Sequence, residues 1–354
     1  MLYLILFIIF VALVFDFLNG FHDAANSIAT IVCTRVLSPA QAVIWAAFFN
    51  FVAAFIFPMA VAKTIGGKMI FPEHINVFVV LGGLCGAIAW NIITWYAALP
   101  TSSSHALMGG LAGAAIVKAG SLAVLDPRGW TPVIIFIFVA PMIGFVFGYI
   151  NVMITNFLCR NAGPRKVDNL FRKLQLVSAA LYSLGHGAND AQKTMGIIIM
   201  LLIAAGHPEW TKPAGGGFHM FGVYHDYALW IILSCHAAIG LGTLSGGWRI
   251  VKTMGSRITR LQPIGGFCAE TAGAIVLHTV SKIGIPVSTT HVITGSILGV
   301  GGAKNMKRVN WIWGEKIVMA WILTLPLSAL IGAIVYWCVH RFVEPFFHVA
   351  AAVN

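Results

Sequence analysis

The sequence predicts an all-α polytopic membrane protein built from two inverted-topology repeats. Each repeat holds about five membrane segments, with discontinuous helices or hairpins. Three observations predict it. Of 354 residues, 59% are apolar and 9% charged, well short of the roughly 25% charged of a soluble domain. Mostly apolar runs of about 18 residues or more recur along the chain, each long enough for a bilayer core. Several motifs also occur twice, once per half and in the same order. Alternating segments of about 10 residues do not occur, which excludes an outer-membrane barrel.

The apolar segments run over 1–18, 39–62, 76–99, 102–120 and 131–158, then 174–205, 227–247, 264–285, 288–302 and 310–340. The chain thus divides into a first repeat (1–158), a basic linker (159–173), a second repeat (174–343) and a C-terminal tail (344–354). Segment 1–18 has no basic start and no small-residue cleavage site, so it reads as a retained span rather than a signal peptide. The linker carries Arg160, Arg165, Lys166, Arg172 and Lys173 against Asp168, and the positive-inside rule places it in the cytoplasm. One crossing per segment then puts Arg249, Lys252, Arg257 and Arg260, and Lys304, Lys307 and Arg308, on the same side. Both termini fall outside the cell (inner) membrane. Five segments per half is an odd number, so a duplication must be an inverted one. The net charge of +11 follows from this topology and does not call for nucleic acid. The expected macromolecular surroundings are membrane lipid. The six cysteines are scattered, with no CxxC pair, and read as small packing residues.

The repeat is visible in the motifs. Gly20-Phe21-His22-Asp23-Ala24-Ala25-Asn26 is echoed by Gly187-Ala188-Asn189-Asp190-Ala191-Gln192-Lys193. Pro100-Thr101-Ser102-Ser103-Ser104-His105 is echoed by Pro286-Val287-Ser288-Thr289-Thr290-His291. Lys63-Thr64-Ile65-Gly66 pairs with Lys252-Thr253-Met254-Gly255, and Gly82-Gly83-Leu84-Cys85 with Gly265-Gly266-Phe267-Cys268. The spacing grows from 167 residues between the aspartates to 186 between the prolines, which fits a longer loop at 206–226.

Ionisable residues inside a span are costly and mark functional sites by default. Asp23 and Asp190 interrupt apolar sequence, and the glycines beside them predict a discontinuous helix in each half. Each proline precedes a hydroxyl cluster that opens a new segment, with proline suited to the first helical turn and Ser or Thr to the cap. Two hydroxyl-bearing helix N-termini set opposite each other make an oxyanion site; two ordinary capped helices are the plainer alternative. Asp23 and Asp190 suit an anion only if a cation or a proton accompanies it. Asn26, Asn189 and Gln192 offer amide oxygens to a hard cation or N–H donors to an anion. Lys193 is a partner for Asp190 or for the anion, or a structural lysine. Glu270, with Ala87 as its repeat counterpart, reads as a cation or proton ligand, and Asp16 as a weaker one. His22, His105, His186 and His291 stand near the motifs, as proton carriers or as hydrogen-bonded helix partners.

The paired Gly-x-His/Asn-Asp and Pro-x-Ser-Ser/Thr-Ser/Thr-His motifs resemble those of the inorganic phosphate transporter (PiT) family, over nearly the whole chain. Within it the chain is similar to the bacterial low-affinity Pit-type phosphate permeases. The resemblance implies a secondary active transporter, not an enzyme, that symports inorganic phosphate into the cell, as a homodimer. It implies phosphate binding by Ser103, Ser104, Asn189, Asp190, Ser288, Thr289 and Thr290. The coupling-ion or proton group comprises His22, Asp23, Asn26, Asp190, Gln192 and Glu270. No cofactor or resident metal is expected. The coupling cation is a proton or sodium, and a divalent metal can travel with the phosphate. His22, where many relatives have asparagine, favours protons and metal–phosphate complexes. The alternatives are sodium-coupled phosphate symport and carriage of another tetrahedral oxyanion such as sulfate. A remote one is an intramembrane aspartyl protease with Asp23 and Asp190 as its dyad.

Overall fold

The computed structural model describes residues 1–213 and 215–346. Among them twelve α-helices form two sets of six. The first set is α1 (Leu2–Cys33), α2 (Pro39–Ile56), α3 (Ala60–Lys68), α4 (Val77–Tyr96), α5 (Ser103–Ala119) and α6 (Pro127–Cys159). The second is α7 (Pro164–Ala204), α8 (Leu229–Ser245), α9 (Trp248–Lys252), α10 (Pro263–Ile283), α11 (Thr289–Asn305) and α12 (Trp311–Phe342). The loop at 206–226 adds a small antiparallel hairpin of β1 (Phe218–Met220) and β2 (Val223–His225), with Phe218 opposite His225. The final residues of the expected tail, 347–354, lie outside the described residues.

Among the described residues, six helices can cross a membrane by length and apolar character, and α8 with its continuation, bent by 61°, makes a seventh. The sequence reading expected ten crossings. α5 and α11 have 17 residues each, about 25 Å at ~1.5 Å per residue. That falls short of the roughly 30 Å of a hydrocarbon core. They are the second arms of two helical hairpins, α4–α5 and α10–α11, whose arms pack on each other.

The helix breaks lie elsewhere than the glycines suggested. α1 and α7 run unbroken through both aspartate motifs. Gly20 and Gly187 serve packing instead. A Cβ at Gly20 would strike the backbone of Ile239 on α8, and one at Gly187 the backbone of Asn50 on α2. The real breaks are at 57–59, between α2 and α3, and at 246–247, between α8 and α9. Most of the stretch expected as a linker is helical too: only 160–163 separate α6 from α7. Pro164 at the first position of α7 carries the helix into the basic residues. Pro100 and Pro286 stand outside the helices they were expected to open, since α5 and α11 begin three residues later.

α1 and α7 run antiparallel. Thr34 near the end of α1 meets Gln175 near the start of α7, at 2.9 Å. Asp23 and Asp190 lie side by side in the middle. The packing interchanges the halves: α11 packs chiefly on α6 and α5 on α12, while α1 packs on α8 and α7 on α2. Antiparallel equivalent helices with exchanged partners are what inverted repeats require. Close approach is secured by glycines four apart. A Cβ at Gly109 or Gly113 would enter the backbone of α12 at Leu325 or Ala329, and one at Gly295 or Gly299 that of α6 at Pro141 or Phe145.

Each hairpin turns the same way. Leu99 N–H reaches back to Thr94 O, and Ile285 N–H to Val280 O, both at 3.0 Å, so each first arm ends in a left-handed residue. That residue is Ala98 (φ +54°) in one hairpin and Gly284 (φ +82°) in the other. Its carbonyl is held by a threonine from the opposite half: Thr253 Oγ1 donates to Ala98 O at 3.0 Å and Thr64 Oγ1 to Gly284 O at 2.7 Å. This accounts for the duplicated Lys-Thr-x-Gly motif. A left-handed residue with a side chain costs about 1–2 kcal/mol. Gly284→Ala is therefore expected to lower the melting temperature of the purified protein in detergent, the more so because its Cβ would lie 2.9 Å from Ala60 O. Ala98→Gly is expected to hold or raise it. Equal melting temperatures for Gly284→Ala and the parent would contradict the turn assignment.

Candidate functional site

The two hairpin tips meet in the centre of the molecule. Ser102 caps α5 by accepting from His105 N–H at 3.1 Å, and Ser288 caps α11 by accepting from His291 N–H at 3.2 Å. Thr290 Oγ1 donates across to Thr101 O at 3.0 Å, and Trp321 Nε1 to Pro100 O at 3.3 Å. The rings of His105 and His291 touch edge to face, 4.8 Å apart. In each helix the N–H groups of the first residues, Ser103 and Ser104 or Thr289 and Thr290, have no intrahelical acceptor. All of these residues are buried.

Against the tips lies the aspartate face of α1 and α7. Each aspartate accepts a hydroxyl from its own half: Ser103 Oγ donates to Asp23 Oδ1 at 3.2 Å, and Thr289 Oγ1 to Asp190 Oδ2 at 3.0 Å. The residue three positions on, one turn further, reaches the other half. Asn26 Nδ2 donates to Thr290 Oγ1 at 2.9 Å and to Thr289 Oγ1 at 3.2 Å. Lys193 Nζ donates to Ser104 Oγ, to Asp190 Oδ1 and to Val287 O. Asp23, Asn26, Ser103, Ser104, Asp190, Lys193, Thr289 and Thr290 thus form one polar cluster.

Both aspartates carry a histidine. His22 Nδ1 lies 2.8 Å from Asp23 Oδ1 and its Nε2 3.1 Å from Thr94 Oγ1. His186 Nε2 lies 3.2 Å from Asp190 Oδ2, and its Nδ1 3.1 Å from Asn50 Oδ1. A pocket lined by Leu18, Phe21, Asn91 and Trp95 opens onto His22. Ligand atoms of Asp23, His186 and Asp190 all fall within 4.8 Å of one another. With two carboxylates against one ammonium, the cluster is net negative while its histidines are neutral. It can accept an oxyanion on the hydroxyls and helix ends only together with positive charge, as protons on the histidines and carboxylates or as a metal cation between the carboxylates. Lys193 already occupies one side of Asp190.

Four residues placed in the site by sequence stand apart from this cluster. Gln192 spends its amide on the break between α2 and α3: its Oε1 accepts from Val61 N–H at 3.0 Å and its Nε2 donates to Pro58 O at 2.9 Å. Ser288 is the cap of α11, as Ser102 is of α5. Asn189 turns toward α10, donating to Ser281 Oγ at 3.2 Å. Glu270 sits in a second buried cluster, where it accepts from Thr30 and Ser178 at 2.5 Å each and from Gln175 at 3.0 Å. That cluster joins α10 to α1 and α7. Conversely, Asn50 and Thr94 belong to the site through the two histidines and were missed. Each is a lone polar residue in an apolar run, and that is the signal that marks them.

A multi-pass helical membrane protein whose buried hydroxyls and helix starts lie beside paired aspartates has the architecture expected of a transporter. Residues 19–332 match the phosphate transporter family, and the chain belongs to that family. It is 52% identical, over 93% of its length and 95% of the other, to a probable low-affinity inorganic phosphate transporter of Rhizobium meliloti. It is 44% identical to one of Bacillus subtilis, over 95% and 97% of the two chains. A solved structure titled "The sodium-dependent phosphate transporter" shares the fold, with a TM-score of 0.81, 22% identity and coverage of 96% and 100%. With relatives that are transporters rather than enzymes, the protease alternative falls away.

Removing one partner of a buried ion pair leaves the other uncompensated, at a cost of about 3–5 kcal/mol. Lys193→Met is expected to lower the melting temperature sharply, and adding Asp190→Asn to recover a large part of the loss. Additive losses in that double-mutant cycle would mean that the pair is not coupled.

Proposed function

We propose that the protein is a cation-coupled symporter that brings inorganic phosphate into the cell across the inner membrane. Phosphate is held between the two hairpin tips, by Ser103, Ser104, Thr289 and Thr290 and the free N–H groups of α5 and α11. One observation carries this reading: the hydroxyls that face the aspartates are the first helical residues of two opposed helix N-termini, where an oxyanion meets both donors and positive helix dipoles. Bonds now made by Asn26, Lys193 and the aspartates to these hydroxyls are then exchanged for bonds to phosphate. The two repeats rock around this fixed site in alternating access. In this reading both termini face outward and the protein is a homodimer.

Protons are the coupling ion we favour, because Asp23 and Asp190 each have a histidine within 3.2 Å or less, and a histidine beside a carboxylate can relay a proton. Phosphate then enters free or as a neutral metal complex. Sodium coupling is the second reading, supported by the structural neighbour, which is described as sodium-dependent.

In proteoliposomes, radiolabelled phosphate uptake is expected under an imposed proton gradient, with sulfate failing to compete. Uptake driven by a sodium gradient alone would overturn the proton reading and leave phosphate symport standing. Sulfate carried in place of phosphate would overturn the substrate. Asp190→Asn is expected to abolish uptake in protein that still inserts and purifies. Thr290→Val is expected to raise the KM about tenfold or more, the effect of losing one hydrogen bond to a charged ligand.

A further inference from the structure

Asp16, Asn19 and Asp23 are three and four residues apart on α1 and share one helix face. Asp190 and Thr194 do the same on α7. Because the helices are antiparallel, the side chains of Thr194 and Asn19 come beside the Asp16 carboxyl group, about two turns from Asp23. Asp16 is 0% exposed, and neither of its oxygens has a hydrogen-bond partner. Asn19 Oδ1 and Thr194 Oγ1 are buried and unpartnered as well. The nearby ammonium of Lys193 is directed at Asp190, Ser104 and Val287. α8 brings the buried thiol of Cys235 to this neighbourhood, which carries no charge as a thiol.

A buried carboxylate is costly; the Thr194 hydroxyl and the Asn19 amide beside Asp16 lower that cost only in part, whereas a positive charge removes it. Three side chains here offer four unpartnered oxygens, the donor set of a hard cation. A single proton would engage one carboxylate oxygen and one acceptor. The charge count selects a monovalent ion: nearby Asp190 is balanced by Lys193, and Asp16 balances one positive charge, so a divalent ion would leave a buried net charge.

We propose that Asp16, Asn19 and Thr194 bind one sodium ion, at a site distinct from the Asp23–Asp190 pair and independent of phosphate. The site holds whether or not sodium drives transport, and it uses residues that the phosphate site does not.

The test is equilibrium binding of radioactive sodium to the purified full-length protein in detergent, without phosphate, with choline chloride keeping the ionic strength constant. Melting temperature is followed in parallel. The parent is expected to bind sodium saturably and to gain melting temperature in sodium chloride over choline chloride. Asp16→Asn is expected to lose both effects while keeping the parent's melting temperature in choline chloride or exceeding it, since it removes a buried charge. Thr194→Val is expected to weaken binding about tenfold, Thr194→Ser to restore it, and Asp23→Asn to retain it. Unchanged sodium binding in Asp16→Asn, or its loss in Asp23→Asn, would overturn the proposal. So would a parent that ignores sodium and is stabilised by acidification, which would make Asp16 a protonated carboxyl. None of these readings uses phosphate, so failure here leaves the transport reading intact, and failure of phosphate uptake leaves this site intact.

Discussion

Two carboxylates held inside an apolar helix bundle are the constraint on which the rest of the structure depends. Neither Asp23 nor Asp190 can be left without donors there, and the donors come from helix starts that must be brought in from elsewhere in the chain. Ser103 and Thr289 supply them. Asn26 and Lys193, one turn beyond the aspartates, tie the opposite tips through Thr290 and Ser104. The result is a crossed set of bonds in which each long helix holds its own hairpin by the carboxylate and the other half's hairpin by the following turn. The hairpins must enter deep and point at each other. Hence the glycines that let α5 and α11 lie against α12 and α6, and the threonines that fasten each turn from the opposite half.

Pseudo-symmetry explains the scaffold, and its departures give the site its chemistry. Where one half has Asn26, the other has Lys193, so only Asp190 is paired with a fixed positive charge. The histidines also break the symmetry. His22 precedes Asp23 by one residue, where the second half has Asn189, and His186 precedes Asp190 by four, where the first half has Asn19. His22 therefore approaches its aspartate from the α4 side through Thr94, and His186 from the α2 side through Asn50. Glu270 has only an alanine, Ala87, as its repeat counterpart, and its cluster ties α10 to both long helices.

The sequence was legible wherever a local rule decides the outcome. Apolar runs, Pro-Ser/Thr helix starts and buried carboxylates are signatures that need no knowledge of neighbours. Asp23, Asn26 and Asp190 were found on those grounds, Ser103, Ser104, Thr289 and Thr290 through the family resemblance, and all of them lie together. The reading failed where two roles share one residue type. Ser288 and Thr289 are both hydroxyls at a helix start, and only the first helical turn shows which of them caps. Glycine beside an aspartate allows either a break or a close contact. Gln192 reads as a ligand in the motif, yet faces a helix break 131 residues earlier in the chain.

By itself, then, the sequence determined the membrane class and the family, and it showed which polar motifs recur in the two halves. Composition, charge bias and repeated motifs are properties of the chain alone. Tertiary structure decided which polar groups meet. It kept α1 and α7 continuous, because Gly20 and Gly187 are filled by the backbones of α8 and α2. It set Thr64 and Thr253 on the opposite hairpin's turn, and it left Asp16 with oxygens for company. The physical reason is the apolar surroundings, in which a polar side chain is satisfied only by partners the fold brings to it, from wherever in the chain they come.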